Sequence, residues 1–204
     1  GGRLKQRYGV DYLMSRGIVG ATARAYRLGY QAKVWYKKNE DETHDMREGI
    51  SIPWFDGDTI NCVRYRIIKP DEGDKYRIGK FCPRRATGNH GDMSLLRPPA
   101  RRSNVAVFCE GELNAISIYQ ATGYDPYATG SDGVTDKQLD AIRQIAASYD
   151  RVLVWMDKAD AARKVKAVIP GALAARSPED NGVKYDANAL LQTGQLAELL
   201  AATL

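Results

Sequence analysis

The sequence predicts an α/β fold, a Rossmann-like parallel sheet preceded by a smaller, basic α+β subdomain. Three observations carry that expectation. Short apolar strands alternate with helical stretches after residue 104, as in a parallel sheet covered on both faces. Before that point, two stretches of β pattern flank Asp56-Gly57-Asp58, which reads as a hairpin with a glycine turn. The charge is also split. Residues 1–104 hold 21 Lys/Arg against 12 Asp/Glu, a net of +9, whereas residues 105–204 hold 9 against 13, a net of −4. A basic α+β arm at 1–103 and an α/β domain at 104–204 follow from these patterns.

In chain order, Arg3–Ser15 sets Leu4, Tyr8 and Tyr12 near one face and stops at Gly17, so it reads as a helix. Gly20–Arg27 is Ala-rich and ends at Gly29, a fitting terminating glycine. The run KKNEDETHDMRE at 37–48 has no period and is expected as an exposed loop. Ile50–Phe55 and Thr59–Ile68 are the hairpin arms, and alternation puts Cys62, Arg64 and Arg66 on one face of the second. Two arginines side by side repel unless an anion lies between them; they point to solvent or they hold phosphate. Trp54, beside the turn, is the better candidate to stack on bases, and Trp155 belongs to the core. Residues 70–103 are rich in Lys, Arg, Pro and Gly and end in a hinge-like Arg97–Arg102.

The second half begins with the strand Val105–Cys109, the helix Leu113–Gln120 and a weak strand at Tyr127-Ala128. Thr135 can cap a helix to about Ser148, with Leu139, Ile142 and Ile145 inward. Arg151–Met156 is a second apolar strand, followed by a helix up to Pro170, a strand at Ala172–Ala175 and a last helix near Gln195–Leu204.

Composition narrows the classes. With 204 residues, 44% hydrophobic and 27% charged, the chain can bury a core without staples. No apolar run is long enough to span a bilayer, so no membrane partner is expected. Cys62, Cys82 and Cys109 stand singly, which indicates neither a zinc knuckle nor a disulfide framework, and Cys82 with His90 is at most half a metal site. A reducing cytoplasm is the expected compartment. No P-loop motif occurs, which excludes that route to NTP hydrolysis.

Ligands of open α/β sheets collect beyond the carboxyl ends of the strands. Val105-Ala106-Val107-Phe108-Cys109 runs into Glu110, and Val152-Leu153-Val154-Trp155-Met156 runs into Asp157. If the strands are neighbours, the two acids share an edge, where a divalent cation would relieve their repulsion. Two acids capping helix starts is the other reading of the same pattern.

Longer segments carry a family resemblance. Val107-Phe108-Cys109-Glu110-Gly111-Glu112-Leu113-Asn114-Ala115 resembles the first Toprim signature, a strand ending in Glu-Gly before a helix. Gly130 resembles the glycine turn that follows there, and Asp157-Lys158-Ala159-Asp160-Ala161-Ala162-Arg163-Lys164 is similar to Asp-x-Asp-x-Ala-Gly-Arg-Lys. Asp186-Ala187-Asn188 resembles the later acidic segment of primase versions. Ahead of them, Tyr12–Ile18, Leu28-Gly29-Tyr30, Ile50–Pro53, Asp56-Gly57, Arg64-Tyr65-Arg66 and Lys75-Tyr76 follow the order of the arm that precedes Toprim in bacterial primases. Nearly all of the chain thus resembles the catalytic core of bacterial-type DNA primases, in a phage or mobile-element-like version.

The resemblance implies a Toprim-type sheet that synthesises RNA primers on a single-stranded DNA template from ribonucleoside triphosphates, with a replicative helicase as a further partner. It implies Mg²⁺ or Mn²⁺ held by Glu110, Asp157 and Asp186, the catalytic acids, with Asp160 as a substitute ligand. Arg64, Arg66, Lys75 and Arg77 would track template or nucleotide phosphates. Departures are plain. Asn114, Ala159 and Asn188 stand where the pattern has carboxylates, and Ala162 where it has glycine. Fewer anionic ligands weaken Mg²⁺ binding. They also motivate a second expectation, a nucleic-acid-binding module with a degenerate metal site. A metal-dependent Toprim nuclease is the third.

Overall fold

The computed structural model describes residues 2–38, 40–71, 75–78, 95–131 and 133–204. Cys82, His90 and most of the 70–103 stretch lie outside the described residues.

Helices α1 (Gly2–Ser15) and α2 (Gly20–Ala25) lead into an antiparallel sheet in the order β1-β2-β3-β4. Its strands are β1 (Gly29–Lys38), β2 (His44–Asp56), β3 (Thr59–Ile67) and β4 (Tyr76–Ile78). The hairpin expected around Gly57 is present, with Asp56 opposite Thr59 and Gly57 at φ 58°. The charge run at 37–48, in contrast, is largely strand. Lys38 lies opposite His44 and Val34 opposite Arg47, while Val34 and Tyr36 are buried and Trp35 faces out. Register shifts between Gln31 and Val34 and between Trp35 and Lys37 break the two-residue period that would have revealed β1. Gly29 opens that strand rather than closing a helix.

The second sheet is parallel, in the order β6-β5-β7-β8. Strand β5 (Val105–Cys109) leads through α3 (Glu112–Thr122) to β6 (Asp125–Ala128). Helix α4 (Asp136–Ala146) then carries the chain to β7 (Arg151–Trp155), and α5 (Ala159–Val168) to β8 (Leu173–Ala174). Thr135 caps α4 in a reciprocal box with Gln138. A two-stranded ribbon of β9 (Glu179–Asp180) and β10 (Val183–Lys184) precedes α6 (Ala187–Thr193) and α7 (Leu196–Thr203). The last helix expected near Gln195–Leu204 is α7, and α6, closed by Gly194 at φ 75°, is a helix the sequence reading lacked.

One apolar cluster runs through both halves. Ile50, Ile52 and Trp54 of β2 pack with Val107, Cys109 and Ile116, and Leu153 and Trp155 continue it. The other face of the parallel sheet packs Phe108, Val152 and Val154 against Ile142 and Val165 of the covering helices. Trp155 is core, as expected, but so is Trp54 at 0% exposure. Trp54 is closed to bases, and Trp35, 47% exposed, is the tryptophan that solvent reaches. Cys109 is buried and free. No helix among the described residues is long and apolar enough to cross a membrane.

Candidate functional site

Strand order creates the crevice. From β5 the chain moves to β6 on one side and then returns to β7 on the other. The two connections diverge between β5 and β7, which is the switch point where open α/β sheets bind ligands. The strands are direct neighbours, with Cys109 opposite Trp155. Glu110 and Asp157 therefore leave the sheet at one edge. The peptide of Glu110 is held there by Gly130, whose N–H donates to its carbonyl at 2.8 Å.

The acids at this edge are engaged with backbone. Oε1 of Glu110 accepts hydrogen bonds from the N–H groups of Asp157 at 3.0 Å and Lys158 at 3.2 Å. It thus caps the start of α5, where the helix dipole favours an anion. Oδ1 of Asp186, the N-cap of α6, accepts from Ala189 N–H at 2.8 Å. Asp157 is exposed, yet partial desolvation and then the Asp186 carboxylate raise its carboxyl above the ordinary value, against a lowering by Lys184. Glu110 and Asp157 are thus joined by a hydrogen bond, and Asp157 and Asp186 by repulsion. Asp160 turns to solvent and pairs with Arg163 one turn along its helix.

The positions that lack carboxylates have become a neutral network. Asn114 Oδ1 accepts the Asn188 N–H at 3.2 Å. Nδ2 of Asn188, fully buried, donates to the Arg16 carbonyl at 2.8 Å and to Ser117 Oγ at 2.9 Å. Gln192 Nε2 donates to the Asn188 carbonyl at 3.1 Å. These bonds tie α6 to α3 and to the end of α1. A carboxylate at 188 could not donate to the Arg16 carbonyl.

A paired-cation site does not fit this arrangement. Glu110 and Asp186 each commit one oxygen to backbone donors. Ala159 offers no ligand, and Asn114 and Asn188 are bonded to each other. Among the described residues no three His, Cys, Asp or Glu side chains are grouped as a metal-ligand set.

The basic candidates separate onto two faces of the antiparallel sheet. Arg64, 7% exposed, reaches across to α3, where Nη1 lies 2.8 Å from Oε1 of the fully buried Glu112. The same nitrogen donates to the Gly130 carbonyl. Gly130 has φ 74°, and a Cβ there would overlap both Nη1 and the Trp54 ring, so only glycine fits. The anion that the two arginines needed is thus internal: Glu112, which pairs with Arg64 and feels Arg66 as well. Glu112 was not singled out from the sequence. The available signal was an arginine sharing a strand face with the core positions Cys62 and, across the hairpin, Trp54. Nε of Arg66 donates to Tyr12 Oη at 2.9 Å. Arg77, opposite Tyr65, lies on the other face, where its guanidinium stacks 4.3 Å from the Tyr36 ring centre and donates to the Tyr36 carbonyl. Lys75 is exposed. A hollow of about 540 Å³ lies at the opposite strand ends beside Arg151 and Leu204 and contains none of these residues.

The fold is that of primase catalytic cores. The zinc-binding and RNA polymerase domains of Aquifex aeolicus primase superpose with a TM-score of 0.66 at 18% identity, over 98% of this chain and 57% of that one. A DnaG primase catalytic domain bound to single-stranded DNA gives 0.68 at 16% identity, over 96% and 70%. The primase fragment of the bacteriophage T7 primase-helicase protein gives 0.62 at 16% identity, over 94% and 72%. The chain thus spans little more than half of the Aquifex structure. No protein-family model and no curated protein matches the sequence.

Proposed function

We propose that the chain plays a primase-like role by holding single-stranded DNA on its basic half, with a metal edge reduced below what nucleotidyl transfer requires. In this reading residues 104–204 are a Toprim domain and residues 1–103 its nucleic-acid arm, in a phage or mobile-element setting. The observation that carries it is the Asn114–Asn188 pair, which puts a closed amide network where further metal ligands would stand. The first half meanwhile keeps a net charge of +9 and exposes Trp35, with the His44 ring centre 6.3 Å away. An exposed aromatic on a cationic sheet suits bases that stack and phosphates that track alongside. Lys75, Arg66 and Arg77 supply charge in this account, while Arg64 holds the two halves together.

Oligo-dT binding followed by fluorescence anisotropy tests this reading. Affinity should fall steeply with salt, by a log–log slope of about 0.7 for each phosphate contacted. Trp35→Ala should weaken binding about tenfold, as expected for the loss of one stacked base. Binding that is absent at low salt, or indifferent to both salt and Trp35, contradicts the proposal.

A second reading is favoured by the Asp157–Asp186 repulsion. A single Mg²⁺ or Mn²⁺ between those acids, completed by ribonucleoside triphosphate oxygens, would relieve it and leave a slow primer-synthesis activity, with a replicative helicase as the partner that brings template.

A further inference from the structure

A second cavity, of about 360 Å³, opens between α2, the β2–β3 turn and the Arg97–Arg101 segment. None of Glu110, Asp157 and Asp186 lines it. We propose that this cavity binds a phosphate-bearing mononucleotide, separate from the acidic edge.

Charge comes first. Arg27, Arg97 and Arg101 all line the cavity, against the single carboxylate of Asp58. Arg101 is already committed, through bonds to the Ser148 carbonyl and Asn104 and by stacking on Tyr149. Arg97 is held loosely. Its Nη2 lies 3.6 Å from Asp56 Oδ1, well beyond the 2.7–2.9 Å of a strong charge-assisted bond. Arg27 lies over the Phe55 ring at 4.7 Å. Two guanidiniums with spare donors facing one hollow suit a phosphate, which takes several N–H groups at once.

Arg97 also has a buried Nε without a hydrogen-bond partner among the described residues, and Tyr26, only 3% exposed, belongs to the cavity wall.

Size and the remaining wall select the class. The volume falls in the range of small-molecule sites and is far larger than inorganic phosphate needs. Pro53, Phe55, Pro98 and Tyr127 supply an apolar surface against which a base can lie.

Calorimetric titration of the full chain with ATP, AMP and inorganic phosphate, with and without saturating oligo-dT, tests the proposal. ATP should bind more tightly than phosphate, and oligo-dT should not displace it. Arg97→Ala should weaken ATP about tenfold and Arg97→Lys less, with oligo-dT affinity unchanged in both. Arg97 is partly exposed, so its variants are expected to fold. The proposal fails if the parent shows no ATP binding at about millimolar concentrations, a weak affinity even for a small ligand. It also fails if Arg97→Ala binds ATP like the parent, or if Glu110→Gln abolishes ATP binding, which would put the nucleotide at the acidic edge. Loss of oligo-dT binding with ATP binding intact would count against the single-stranded DNA reading alone.

Discussion

Replacing Arg64 with alanine is expected to destabilise the protein by about 3–5 kcal/mol, the range for breaking one half of a buried ion pair. The substitution leaves Glu112 at 0% exposure without the guanidinium 2.8 Å away. Neither of its oxygens has an aligned hydrogen bond among the described residues. The deficit should depend on pH with a defined sign. Burial raises the Glu112 carboxyl above its ordinary 4.5, and Arg64 is the main influence pulling it back. A carboxyl raised in the folded state penalises folding as pH climbs from the unfolded value through the folded one, and not below it. Without Arg64 that penalty grows. Urea unfolding of the variant should therefore show a loss that is largest near neutral pH and shrinks as pH falls toward 4.5. A loss under about 1 kcal/mol, typical of an exposed ion pair, would mean that Arg64 is not the clamp described here.

Asn188→Asp is expected to be the other large effect, about 3 kcal/mol of lost stability. Sequence comparison alone would call it a repair, since it returns a carboxylate to the third acidic segment. The packing argues the reverse. The amide donates to the Arg16 carbonyl and to Ser117 Oγ, and the Ser117 hydroxyl is itself spent on the Leu113 carbonyl at 2.7 Å. A carboxylate there faces acceptors instead of bonding to them, in a position with no solvent. Its own pKa must rise in the fold, so this deficit too should be greatest at neutral pH and ease in acid. Thermal and urea unfolding across pH, with metal-binding calorimetry, checks it. An Asn188→Asp protein as stable as the parent that gains Mg²⁺ affinity would show that the network is incidental.

Much of the parallel sheet was legible in the sequence because its determinants are local. Val105–Cys109 and Arg151–Trp155 are apolar runs ending in acid, Thr135 and Gln138 form a capping box, and Gly130 marks a turn that only glycine satisfies. What escaped depends on partners far along the chain. Strand β1 hides behind two register shifts. Trp54 beside a turn looks exposed until α3 and Gly130 close over it, and Arg64 looks available for phosphate until Glu112 is brought opposite. Alternation placed Arg64 and Arg66 on one face correctly; it could not say that this face is interior at Arg64. The acids show the same limit. Glu110 and Asp157 meet as the strand pattern implied, but only the fold reveals that Glu110 is bonded to the backbone of Asp157 and Lys158, or that the two asparagines are bonded to each other.

Whether the acidic edge transfers nucleotides is tested by labelled-ribonucleotide incorporation on single-stranded DNA by the purified chain and by Glu110→Gln, titrated with Mg²⁺ and Mn²⁺. Retained DNA binding and no incorporation by either protein with either metal are the expected results. Primer synthesis by the parent that disappears in Glu110→Gln would contradict them and establish the edge as a working catalytic site with a reduced ligand set.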